Sequence, residues 1–479
     1  MQTILGIDIG TTAIKFTLFS TEDYAILDAI KYPVPMNESD AIQSTQVPQV
    51  ILQLVLKGIK ALSERYVIDS LVLSSAMHSL IPVVNGQVGQ MYLWSDKRAS
   101  SIIAQFKENQ PELAKRFYRH TGTPIHAMSP FAKLLYFKEE QPTFFASVDQ
   151  WLDIKAYVMQ GLTGQSVVDF SVASATGLFN TLLFEWDHEI LTYVSVNQSQ
   201  LPQAVDTNQA FFITPTMIER LGLPFGTQVY IGASDGTLAS YASLIGTGRK
   251  ISLTVGTSGA VRYLSSERKI SDRQITFCYY LAKNQWVIGG ATNNGGRTLE
   301  WVNELFYDQP FKIFTEIPKA LLSSSIGANG LVFLPYINGE RAPLWQEDVQ
   351  GVFAGMTLAH QRQDFIRAIC EGILFNLKVI HSDLRLHEKE GIALSGGFFA
   401  IPSLAQETAA IFGTECLQSD YTEPAFGAVA LVGPSIVAVK QSELTVIAPE
   451  PIKADAYQTS FERFKEVLAK ERNEFKKAK

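Results

Sequence analysis

Residues 4–19, ILGIDIGTTAIKFTLF, decide the fold. Two runs rich in β-branched and aromatic residues flank a Gly10-Thr11-Thr12 turn, the pattern of a β-hairpin. Residues 251–264, ISLTVGTSGAVRYL, repeat it, and Gly256-Thr257-Ser258 follows Gly10-Thr11-Thr12 at a constant offset of 246. The chain is therefore read as internally duplicated.

Outward from the hairpins, helical patterns over 47–66 and 131–140 alternate with short apolar strands at 70–74 and 229–232, which is α/β architecture. After the second hairpin come an apolar strand at 331–336, a helix over about 363–386, a strand at 392–394 and a helix over 402–412. Gly246, Gly248 and two basic residues interrupt the pattern at 245–250, so the boundary is expected there. That gives halves of 1–246 and 247–479. The last segment, 460–479, puts Phe461, Phe464, Leu468 and Phe475 on one helical face. Its lysines alternate with Glu462, Glu466, Glu471 and Glu474, which reads as a solvated face and not a membrane helix.

The chain has 479 residues, room for about three average domains or two large ones, and the two hairpins favour two. Apolar residues make up 46% and charged residues 18%, which excludes a disordered or fibrous chain. With 40 basic against 47 acidic side chains the net charge is −7, no electrostatic footprint for nucleic acid or an anionic membrane. Cys278, Cys370 and Cys416 are scattered, without CxxC spacing, and read as reduced core residues. The N-terminus lacks a secretory pattern. The longest uncharged stretch, 70–95, is broken by Ser, His, Asn, Gln, Pro and Gly, unlike a membrane span. A cytoplasmic protein is expected.

Asp8 ends the first strand beside a turn whose N–H groups and hydroxyls suit phosphate, a position from which a carboxylate can hold Mg²⁺. An ordinary hairpin with Asp8 bonded to backbone would read the same. The second turn shifts the balance, because two such hairpins can face one nucleotide across a cleft. Neither loop is a Walker A or a GxGxxG, so no P-loop or Rossmann site is implied.

Longer motifs carry a resemblance. Residues 128–139 (MSPFAKLLYFKE), then 351–356 (GVFAGM) with Asp364-Phe365 and 368–371 (AICE), resemble the two signatures of the FGGY family of carbohydrate kinases. Tyr136 stands where Trp is usual. Residues 333–336 (FLPY) and 339–343 (GERAP) form another family-like block. The resemblance covers nearly the whole chain. It implies two duplicated α/β domains of the actin/hexokinase-like (ribonuclease H-like) fold flanking an ATP cleft, and MgATP-dependent phosphorylation of a sugar hydroxyl. It implies a small-molecule partner and leaves a homodimer open.

The resemblance also assigns residues. Asp235, in the Gly232-Ala233-Ser234-Asp235-Gly236 run at a strand end, matches the catalytic base, although Asp-Gly is also a common turn. Lys15 matches a basic position that reaches the phosphates; unaided it is an exposed strand lysine. Gly10, Thr11, Thr12, Gly256, Thr257, Gly296, Gly396 and Gly397 match the nucleotide-lining segments, as does Glu300, more weakly. Ile401 stands where a polar residue usually touches adenine.

Met77-His78 and Trp94-Ser95-Asp96-Lys97-Arg98 offer a stacking face, donors and acceptors for a polyol, in segments that line the family's sugar pocket. Arg98 carries a fork suited to a carboxylate, or anchors its loop through Asp96. Residues 121–130 (TGTPIHAMSP) and 175–180 (ATGLFN) resemble gluconokinases of the family, implying D-gluconate as substrate. D-Xylulose is the enzyme alternative, and a non-catalytic ATPase-fold sugar sensor the alternative of another kind.

Overall fold

A computed structural model describes residues 2–37, 42–386, 390–419, 421–433 and 444–477, the side chains of 473–477 excepted. The first hairpin forms from Thr3–Ile9 (β1) and Ala13–Ser20 (β2), with Asp8 opposite Lys15. Ile26–Pro33 (β3) continues it antiparallel. Helix α1 (Pro48–Ser63) starts with Pro at its first turn and buries Ile51, Val55, Ile59 and Leu62, one face at helical spacing. It leads to Ser70–Ser75 (β4), parallel to β1. Ala210–Phe212 (β5) and Gln228–Ser234 (β6) complete a sheet of order β5-β6-β4-β1-β2-β3. The core strands are buried along nearly their whole length, as parallel strands covered on both faces require.

The second half repeats the plan. Ile251–Val255 (β7) and Gly259–Ser265 (β8) are the second hairpin. Phe277–Ala282 (β9) and Gln285–Thr292 (β10) extend it antiparallel. Ile392–Ser395 (β11) and Cys416–Gln418 (β12) add parallel strands on the other side, and Thr445–Ile447 (β13) closes the edge. The order is β9-β10-β8-β7-β11-β12-β13. In both sheets an antiparallel hairpin adjoins a parallel strand at the same place.

Helix α2 (Asp235–Thr247) follows β6 directly and ends at Gly248, whose φ of 71° gives a left-handed cap. Gly246, expected to break the pattern, lies inside this helix. A Cβ there would meet Ser419 Oγ at 2.6 Å, so the glycine serves packing. Gly296–Phe306 (α3), Arg362–Asp383 (α4), Pro402–Phe412 (α5) and Pro424–Val432 (α6) complete the second half. Between the halves α2 packs on α6, where a Cβ on Gly427 would come within 2.2 Å of the Leu238 carbonyl oxygen. Bare backbone makes that crossing.

The C-terminal helix α7 (Pro451–Lys477) begins nine residues earlier than its apolar face predicts. Tyr457, Phe461, Phe464 and Leu468 are buried, with Phe461 and Phe464 ring centroids 5.6 and 5.7 Å from Phe375. Phe475 lies outside the described side chains. All three cysteines are free and buried. Among the described residues no helix is long and apolar enough to cross a membrane.

Candidate active site

The duplication extends to side chains. At the end of β1, Asp8 Oδ1 accepts a hydrogen bond from the Ser74 hydroxyl of β4 at 2.8 Å. At the end of β7, Thr254, the residue 246 positions on, sits 2.9 Å from the Ser395 hydroxyl of β11. The two turns follow directly. A cavity of about 260 Å³ lies between the halves and reaches from Thr11 on one turn to Ser258 on the other. Asp235, Met77, His78 and Trp94 line it from the first half. Arg262, Tyr279 and Arg341 line it from the second.

Asp235 opens α2 where β6 runs out, in the first turn of a helix, where a negative charge is favoured. The Gly236 N–H donates to its Oδ1 at 2.6 Å. Burial raises its carboxyl above the ordinary range, opposed by that bond, by Arg262 and by Lys155. Beneath it the Lys155 ammonium is fully buried, donates to the Ala233 carbonyl at 2.7 Å and lies 2.8 Å from Asp169. Hydroxyls of Ser171, Ser234 and Thr237 form a triangle with sides of 2.9, 3.0 and 2.9 Å. These contacts hold the strand end rigidly. Burial and the charge of Asp235 push the Asp8 carboxyl up to about 7.

His78 adopts a φ of 67°, and its Nδ1 lies 2.7 Å from the Ala175 carbonyl. Burial lowers its pKa to about 3, so the ring is neutral. With Nδ1 donating, Nε2 is left as an acceptor. The buried Lys133 side chain, its pKa lowered by burial to about 7, donates to the His78 and Met128 carbonyls and ties the Met77-His78 segment to residues 121–130.

Asp96 and Arg98 do not join the cavity. Arg98 Nε and Nη2 grip Asp96 at 3.0 and 2.7 Å, its guanidinium covers Tyr92 at 4.5 Å, and Asp96 also accepts from the Ser44 N–H. The carboxylate Arg98 binds is its own neighbour's, so the loop-anchoring alternative describes its contacts. Lys15 likewise has a partner: its ammonium lies 2.5 Å from Glu423, which precedes α6 in the other half.

Among the residues expected to line the nucleotide, those of the first turn of α3 pack against the second hairpin. Gly296 N–H donates to the Gly256 carbonyl at 2.7 Å and Arg297 N–H to that of Thr257 at 3.0 Å. A Cβ on Gly296 would stand 2.7 Å from the Gly256 oxygen, which explains the glycine. Gly396 and Gly397 follow β11, and Ile401 precedes α5, packed on the core. Among the described residues Glu300 reaches Arg297 alone, at 3.5 Å.

Sequence reasoning overlooked the cavity's two arginines. Arg341 donates to Asn293 Oδ1 at 2.8 Å and the Thr292 carbonyl at 3.0 Å, and its guanidinium stacks 4.7 Å over Trp94. Burial lowers its pKa to about 10, leaving it charged. Arg262 was detectable: at the offset of 246 it stands where the first hairpin has Phe16, a core residue.

Comparison with known proteins agrees with this architecture. Residues 3–242 match the N-terminal domain, and 251–433 the C-terminal domain, of the FGGY family of carbohydrate kinases. The chain is 32% identical over 452 residues to a gluconokinase of Bacillus subtilis, covering 89% of this chain and 86% of that one. It is 26% identical to a xylulose kinase of Staphylococcus epidermidis, over 90% of this chain and 87% of the relative. Crystal structures of a gluconate kinase and of a ligand-bound xylulose kinase, both from Lactobacillus acidophilus, each superpose with a TM-score of 0.91 at 30% identity. The first match covers 97% of both chains and the second 98% of both. The chain belongs to the FGGY family of carbohydrate kinases. It is an ATP-dependent sugar kinase of two α/β domains.

Proposed function

We propose that the substrate is D-gluconate, phosphorylated at its terminal hydroxyl to 6-phosphogluconate, with residues 1–246 serving chiefly the sugar and 247–479 chiefly the nucleotide, and each half also reaching across the cavity between them. The observation that carries this is the pair of guanidinia, Arg262 and Arg341, lining the cavity that contains Asp235; among the described residues no carboxylate lies within ion-pair distance of either, and Asp235 acts on the first and Glu340 on the second only at longer range. Charges so enclosed call for an anionic ligand. The greater identity to gluconokinase than to xylulose kinase relatives supports the same choice.

In the proposed reaction Asp235 accepts the proton of the substrate hydroxyl while the oxygen bonds to the γ-phosphorus and the bond to the β-phosphate oxygen breaks, releasing ADP. Its burial makes it a better base than an ordinary carboxylate. His78 Nε2 accepts from a sugar hydroxyl, and Trp94 and Met77 give the chain an apolar face. N–H groups around Gly10-Thr11-Thr12 and Gly256-Thr257 surround the phosphates, with Gly296, Gly396 and Gly397 allowing close approach.

Mg²⁺ fits the donor set in one way only. Among the described residues no group of three or more His, Cys, Asp or Glu could form a metal cage. A lone carboxylate, Asp8, suffices for an ion that keeps its waters and arrives on phosphates. Bound there, it would neutralise phosphate charge.

The test is ADP formation with D-gluconate, D-xylulose, glycerol and no acceptor. D-Gluconate is expected to exceed the others in kcat/KM by at least roughly 30-fold, since losing the partner of an enclosed charge costs about 2–5 kcal/mol. D-Xylulose matching it would establish the second reading, which the xylulose kinase similarity favours.

A further inference from the structure

The two arginines of the cavity are not equivalent. Arg341 is committed to Asn293, the Thr292 carbonyl and the face of Trp94. Arg262 makes one long contact, Nη1 to Thr254 Oγ1 at 3.5 Å. A guanidinium has five N–H donors, and among the described residues the others of Arg262 meet no hydrogen-bond acceptor. They border the cavity.

A missing side chain fixes where this guanidinium lies. A Cβ on Gly236 would stand 3.3 Å from Arg262 Nη2 and 3.0 Å from Met77 Cε. The cation therefore rests over the first turn of α2, beside the sugar segment. That turn is the positive end of a helix dipole, an unfavourable neighbour for a cation. Asp235 is the compensating charge within range, yet as base it must attend to the substrate hydroxyl.

A second donor is independent of the first. Tyr279 is 1% exposed, its ring borders the cavity 6.0 Å from the His78 ring, and its hydroxyl has no hydrogen-bond partner among the described residues. Arg262 and Arg341 both act on it electrostatically. A buried hydroxyl without a partner is a costly exception in a folded protein. The ligand that satisfies both donors is a carboxylate. The phosphates are the other anion at hand, since the guanidinium reaches back along β8 to Thr254, two residues before Gly256; the KM and kcat readouts below tell the two apart.

We infer that Arg262, assisted by the Tyr279 hydroxyl, holds the substrate's carboxylate, and that this pair, not Arg98, makes the pocket one for a sugar acid. The assignment rests on the gluconate reading above. D-Glucitol, which carries CH₂OH in place of the carboxylate on the same carbon skeleton, isolates the term. In the native enzyme the KM for gluconate should lie far below the Ki of glucitol competing with it; equal values would sink the gluconate reading itself.

Given that native preference, Arg262→Met should raise the gluconate KM relative to the glucitol Ki by at least roughly 30-fold, with kcat falling less than KM rises. Tyr279→Phe should do so by about tenfold, and Arg262→Lys should restore part of the preference. If Arg262→Met does not fold, as a melting curve would reveal, Tyr279→Phe and Arg262→Lys decide. An unchanged ratio in the variants that fold overturns the assignment. So does a fall in kcat at constant KM, which would place Arg262 on the transferred phosphoryl group.

Discussion

Asp8 and Asp235 close the ends of two strands separated only by β4, and each carboxyl is held above its ordinary range, chiefly by burial. For Asp8 the charge of Asp235 is the second cause, whereas the Ser74 hydroxyl and Lys15 oppose the rise. Two acids enclosed this closely are costly in a fold, and the proposed chemistry separates them into one that takes a proton and one that serves a cation.

Asp235→Asn should lower kcat by on the order of 10² or more while leaving ATP affinity nearly intact, the loss expected for a general base. Single-turnover rates and nucleotide titration measure the two quantities separately. Turnover near the native value would remove Asp235 from the proton transfer.

Asp8→Ala should shift the Mg²⁺ concentration for half-maximal rate upward, because one inner or water-bridged carboxylate has been lost. The same shift should appear in Mg²⁺-dependent ATP binding, measured without turnover. Coincident titrations for variant and native enzyme would exclude a cation role.

Glu340, the neighbour of Arg341, offers a pH test through stability and not through turnover. It is fully buried, accepts from the Thr292 hydroxyl at 2.7 Å and Asn294 Nδ2 at 3.1 Å, and burial raises it to about 7. Between pH 7 and the ordinary carboxylate range the folded chain binds more protons than the unfolded one, so this group's penalty shrinks as pH falls. Glu340→Gln should therefore gain on the native protein by on the order of 2 kcal/mol more at pH 8.5 than at pH 5.5. Denaturant melts at the two pH values measure it, and a pH-independent difference would show that Glu340 is not protonated on folding.

Both hairpins, the parallel strands beside them and the helices over 48–63, 130–140, 362–383 and 402–412 were legible because periodicity and turn residues report backbone directly. Gly246 misled because a helix-interior glycine required by a tight helix contact looks like a breaker in one dimension. The start of α7 was missed because Pro451 to Ser460 expose most of their side chains and only Tyr457 is buried. Asp235, Met77, His78 and Trp94 border one cavity, and their segments could be picked out because each follows a strand or precedes a short loop. Arg98 looked like a ligand because a guanidinium two residues from an aspartate gives no hint of which carboxylate it will grip. Arg262 and Tyr279 went unnoticed because a polar group on a strand is ordinary until the facing domain encloses it.

The repeated hairpin ends in two unlike walls. A cleft built from twofold-related copies would offer an asymmetric ligand two equal poses. Here the first copy carries Asp8 where the second has neutral Thr254, and the second carries Arg262 where the first has Phe16. The substitutions break the symmetry in opposite senses, acid on one side and base on the other. On the proposed reading, the electric polarity these two positions set across the cavity tells the bound molecule which way to face.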